Sequence, residues 1–116
     1  MKAMKARWPF LPEVRLFHDR DKCRRFLRKQ GMEPRFLNTG AQTWYADEVA
    51  VVLFECDNTW HAEAALLAHE AVHVTSAHFD ELGEESPNEE FMAYGVQVVS
   101  RALFEAHEKW KRKAVR

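Results

Sequence analysis

The stretch from about Trp60 to Leu82 leaves the backbone the least choice anywhere in this sequence. Ala62, Ala64, Ala65, Leu66, Leu67 and Ala68 are strong helix formers, Asn58 or Thr59 can cap the first turn, and Gly83 can close the last. A chain of 116 residues has room for one domain with one core. Residues 1–116 are therefore expected to form a single domain.

The rest of the chain reads as a small sheet and two more helices. Residues 1–12 look like an arm kept extended by Pro9 and Pro12. Val14 to Phe17 reads as a strand, and Asp19 can cap a helix through Cys23, Phe26 and Leu27 that Gly31 ends. Pro34 to Leu37, Thr43 to Tyr45 and Val49 to Phe54 read as three further strands, with a turn at Asn38-Thr39-Gly40. The Val49 to Phe54 run is almost wholly apolar, as a strand covered on both faces would be. Ser86-Pro87-Asn88-Glu89 reads as a capping box opening a final helix to about Lys109, with residues 110–116 as a basic tail. The expected order is β-α-β-β-β-α-α, an α+β domain with a small, mainly antiparallel sheet.

Inside the long helix stands His69-Glu70-Ala71-Val72-His73. Residues four apart share a helix face, so both imidazoles can reach one ion. Glu70 follows the first of them and can lean over the open coordination position, where a carboxylate can act as general base toward a metal-bound water. Two imidazoles and a carboxylate suit one zinc ion. Candidates for a third ligand are His78, Asp80, Glu81, Glu84, Glu85, Glu89, Glu90 and His107. His78 points away from His73 on the same helix, and Asp80 and Glu81 sit at or near the helix end with little room to return. Glu84 and Glu85 lie in the loop with nothing to fix them, and the capping box would occupy Glu89. Glu90, on the first turn of the last helix, is free to face inward, and Ala93 would let the two helices approach closely.

Composition narrows the field without choosing within it. The formal net charge of −1 gives no general drive toward nucleic acid or anionic membrane, although Lys22 to Lys29 and Lys109 to Arg116 are locally basic. Cys23 and Cys56 form no metal-spaced pair, and as free thiols they suit a reducing cytoplasm. No apolar run has the roughly 18 residues a membrane helix needs, and Trp8 to Pro12 is too short and too rich in proline for a signal peptide. Trp44, Tyr45, Trp60, Phe79 and Phe91 are read as core before cleft, His18, His61 and His107 as surface or locally hydrogen-bonded before ligands, and Asp47 and Asp57 as turn or cap residues.

His-Glu-x-x-His followed by a second helix bearing Glu90-Phe91-Met92-Ala93 resembles the gluzincin branch of the zincin metallopeptidases over roughly residues 49–98. The resemblance implies a zincin-like domain, zinc ligands His69, His73 and Glu90, and Glu70 as base. Many members place aspartate where this chain has Tyr94, whose hydroxyl would support a ligand histidine or steady an oxyanion. The metzincin pattern does not fit, since Ser76 and Phe79 stand where it needs glycine and histidine. The chain also resembles short His-Glu-x-x-His proteins encoded by phages and prophages. In zincins the strand ahead of the metal helix is often the sheet edge along which a peptide lies, a role that would fall to Val49 to Phe54. The expected function is a zinc-dependent hydrolase acting on a peptide or protein. Its rival is a non-catalytic phage assembly or host-interaction protein that keeps the metal scaffold and has a partner completing its cleft.

Overall fold

The computed structural model describes residues 4–5, 12–83 and 88–114. Its elements run β1 (Met4–Lys5), β2 (Glu13–Phe17), α1 (Arg20–Lys29), β3 (Ala41–Ala46), β4 (Val49–Phe54), α2 (Trp60–Glu81) and α3 (Glu89–Ala114). The α+β class is as expected. The sheet order is β1-β2-β4-β3. It is mixed: β1 and β3 pair antiparallel with their neighbours, while the central pair β2 and β4 is parallel, with Glu13 opposite Val49 and Phe17 opposite Leu53. A parallel pair needs a crossover, and the segment carrying α1 supplies it.

Alternation along β4 divides the core. Ala50, Val52 and Phe54 meet Leu67, Ala71 and Val74 of α2 and Val99, Leu103 and Ala106 of α3. Val51 and Leu53 point the other way, onto Cys23 and Leu27 of α1. Both faces are covered, which is why the strand carries no polar residue. The same placement corrects the expected edge role. β4 is central, and among the described residues the terminal strand beside α2 is β3.

Four other expectations change. Pro34 to Leu37 forms no strand. Pro34 lacks a donor, and the Gln42 side chain engages this segment by accepting from the Leu37 amide and donating to the Arg35 carbonyl. The arm contributes β1, while the rest of residues 1–11 lies outside the described part. At the start of α3, Asn88 takes the capping position: its Oδ1 accepts from the Glu90 amide at 2.8 Å. Ser86 and Pro87 of the expected box lie outside the described residues, as do Glu84 and Glu85. The helix continues through Trp110 to Ala114, so most of the expected tail is helical.

The caps of the other helices are as read. Asp19 accepts from the amides of Asp21 and Lys22, and Thr59 from that of Ala62. Gly40 has φ +84, and a Cβ there would stand 3.3 Å from Leu66, so the turn before β3 needs glycine twice over.

The β3–β4 hairpin closes through Asp47 and Glu48, both with positive φ (48° and 65°). A left-handed conformation costs an L-residue about 1–2 kcal/mol, and such turns favour glycine at the second position. Glu48→Gly is expected to stabilise the protein by about 0.5–1 kcal/mol, less than the full relief because glycine also frees the unfolded chain. Thermal melting would read this as an upward shift. A lower melting temperature would show that the Glu48 side chain offsets its strain.

Candidate metal centre

α2 buries the stripe Glu63, Leu67, Glu70, Ala71, Val74, Thr75, His78. His69 and His73 fall just off it and are exposed, although their apolar neighbours made a buried pair conceivable. Their Nε2 atoms are 3.2 Å apart. Two nitrogens each about 2.0–2.1 Å from one zinc ion at a tetrahedral angle stand about 3.3 Å apart. The pair thus has the separation of two ligands of a single ion. Without an ion, one imidazole N–H donating to the other's lone pair satisfies the same contact.

Glu70 is 3% exposed. Its Oε2 is 4.0 Å from His69 Nε2, and its Oε1 accepts from the Thr43 hydroxyl of β3 at 2.7 Å. The hydroxyl fixes one oxygen and leaves the other toward the histidines. His69, Glu70 and His73 each offer a ligand atom within 4.8 Å of the others. Among the described residues this is the one such group. It opens into a groove of about 550 Å³, with Thr43 and Tyr45 of β3 on one wall and Leu66 and Ala77 of α2 on the other.

The remaining sequence candidates stand elsewhere. Glu90 and Tyr94 are exposed on α3, outside this group and outside the groove lining. Glu90 precedes the buried Val99 by nine residues, which sets it about 180° away round the helix. Ala93 is exposed, and the small residues buried on α3 are Gly95, Ala102 and Ala106. His78 is buried and bonds through Nδ1 to the Tyr45 hydroxyl at 2.7 Å. Burial lowers the His78 pKa against the opposing charges of Glu48 and Glu81, and burial with those same charges pushes the Tyr45 phenol up to about 12. Tyr45 is thus a neutral donor on the groove wall. Of the other aromatics, Trp44 also lines the groove, Phe79 is core, and Trp60 and Phe91 are exposed.

A second polar cluster joins residues that the sequence shows only as isolated. Glu63 is fully buried, and it accepts from the Asn58 amide at 2.8 Å, His107 Nε2 at 3.0 Å and Lys111 Nζ at 2.6 Å. Burial pushes its carboxyl up, but these three donors bring it down to about 2. His107 Nδ1 meets His18 Nε2 at 2.9 Å, and His18 stacks on Trp110 with ring centroids 3.8 Å apart. His107, one of the third-ligand candidates but read first as surface or locally hydrogen-bonded, is fully buried and bonded to Glu63 and His18. Burial, then the neighbouring His107, lowers His18 to about 3, with Glu63 opposing.

This makes the fold acid-sensitive. The unfolded chain protonates His18 near its ordinary 6.5, and the folded chain does so only near 3. Stability is therefore complete above the upper value and falls as pH drops between the two. Glu63 adds a further loss between its ordinary 4.5 and about 2. The ring is partly near solvent, so the expected slope from His18 is on the order of 0.5 kcal/mol per pH unit. Urea unfolding between pH 7 and 5 would measure it, and His18→Phe, which keeps a stacking ring, should flatten the dependence. An unchanged slope in that variant would place the acid sensitivity elsewhere.

Comparison with protein-family models, with curated proteins and with solved structures gives no match. Among the described residues no helix is long and apolar enough to cross a membrane.

Proposed function

We propose that this protein is a metal-dependent hydrolase, in which His69 and His73 hold one zinc ion and Glu70 is the general base. The observation that carries the reading is the convergence of two imidazole nitrogens, 3.2 Å apart, with a buried carboxylate at the mouth of a groove. Imidazole nitrogens suit zinc, as they suit copper, iron and nickel, and zinc is the ion proposed for this site. When bound, it would lower the pKa of a water and polarise a substrate carbonyl.

The chain's own residues supply the rest. Glu70, held at Oε1 by Thr43, would take the proton of the attacking water and return it to the leaving group. Tyr45 can donate toward a developing oxyanion, provided that substrate displaces its bond to His78. β3 is a terminal strand of the sheet, and its outer edge runs along the groove, where an extended peptide can pair with it. A peptide or protein is therefore the proposed substrate. Glu90 as third ligand and Tyr94 as its neighbour belong to the gluzincin resemblance. From their exposed positions they would have to be drawn toward the cluster on metal binding.

The test is elemental analysis of untagged protein purified without chelator, followed by incubation with a peptide library. About one zinc per chain and cleavage that Glu70→Gln lowers at least about a hundredfold, with metal retained, are expected. Zinc without cleavage in either form would select the rival reading of a non-catalytic, metal-holding interaction protein. No zinc would remove both.

A further inference from the structure

We propose that the outer face of α1 binds the phosphate backbone of single-stranded nucleic acid. Arg20–Lys29 carries six cations and one acid in a chain whose net charge is −1. Part of the balancing charge is remote in sequence, with Asp80, Glu81, Glu89 and Glu90 exposed around the end of α2 and the start of α3. The molecule is thus slightly negative in sum yet carries an excess of positive charge on one helix.

Not all of these cations are available. Arg20 is held by Glu55, Arg24 by Asp21 and Arg28 by Glu33, and the first two also lie over the Phe36 ring. Lys22, Arg25 and Lys29 are exposed and belong to no ion pair among the described residues. Their spacing of three and four residues aligns them on one face. Along the axis they stand about 4.5 and 6 Å apart, comparable with the charge spacing of a nucleic-acid strand, about 3.4 Å when stacked and longer when unstacked. Beside them a trough of about 410 Å³ is lined by Arg15, Phe17 and Phe26, with the Arg15 guanidinium 4.5 Å from the Phe26 ring centre. Cations tracking a backbone beside aromatic rings are the elements of sequence-tolerant single-strand binding.

The face suits a membrane surface less well. The apolar residues of α1 are turned inward: Cys23 and Leu27 are buried and Phe26 is half-buried. An interfacial helix instead projects its apolar side into the lipid.

The experiment is fluorescence anisotropy with a labelled mixed-sequence DNA 12-mer at about 50 mM salt, in EDTA to silence the metal centre, with RNA and duplex of equal length as further arms. Saturable binding of single strands is expected, with a slope of about −2 in log affinity against log salt for three phosphates. Replacing Lys22, Arg25 and Lys29 together by Glu should weaken it at least tenfold. The triple Ala variant, which favours the helix, should weaken it in the same direction, while Lys109→Glu with Lys113→Glu should leave it unchanged. The proposal is overturned by no binding in the wild type, by equal loss from both patches, by preference for duplex, or by capture on phosphatidylserine vesicles without oligonucleotide binding.

Discussion

His69→Ala is expected to lower zinc affinity by at least about a hundredfold while leaving the fold intact. The imidazole is one of two nitrogens converging on the same point, 3.2 Å apart, and losing one leaves a single imidazole beside a carboxylate. The side chain is 63% exposed, so its removal takes nothing from the core. Exposed substitutions of this kind usually change stability by no more than about 0.5 kcal/mol. Competition against a chromophoric chelator would give the affinity, and circular dichroism the fold. Glu90→Ala is the informative contrast. From its position on the exposed side of α3, the structure expects a change within about threefold. A loss approaching that of His69→Ala would show that the first turn of α3 moves onto the metal, and it would restore the ligand set implied by the gluzincin resemblance. Equal affinity in wild type and His69→Ala would remove the metal centre altogether.

Glu63→Ala should rank with core truncations among the most damaging single changes to the fold, at about 2–4 kcal/mol. It strips three donors at once: the Asn58 amide, His107 Nε2 and the Lys111 ammonium. Leaving a buried charge or donor unmatched costs about 3–5 kcal/mol when one partner of a buried pair is removed, and the estimate is reduced because Lys111 is 40% exposed and can turn to water. Glu63→Gln keeps an acceptor and should cost about half as much. Urea denaturation of both variants would separate the loss of charge from the loss of the hydrogen bonds. If Ala and Gln cost the same, charge is what matters. If neither costs more than about 0.5 kcal/mol, the cluster is not a support of the fold.

What the sequence revealed and what it hid follow from the range of the interactions. The pairing of His69 with His73, the helix that carries them, and the two-faced burial of β4 rest on local periodicity, which one stretch of chain displays in full. Thr43 was invisible as the partner of Glu70, because nothing in a strand residue announces which helix it will face 27 positions later. The joining of His18, Glu63, His107 and Lys111 was hidden for the same reason, with 89 positions between the two histidines. The misread strand at Pro34 to Leu37 is different in kind. Its composition allows a strand, but the Gln42 side chain engages its backbone first. The start of α3 was misplaced because Ser86 and Asn88 are both good capping residues, and at Asn88 the side chain meets the Glu90 amide.

The candidate metal centre is built from β3 and α2, with only β4 between them in the chain. The hairpin loop has two residues and the histidines are four apart, so these contacts close early and at little entropic cost. The parallel ladder of β2 on β4 is the slow step by comparison, since Val14 must find Ala50 across the whole of α1 and β3. The hairpin and α2 are therefore expected to bring Thr43, His69, Glu70 and His73 together before the β2–β4 ladder closes. Binding there would stabilise the nucleus as well as the finished protein, so added zinc would speed refolding rather than merely slow unfolding.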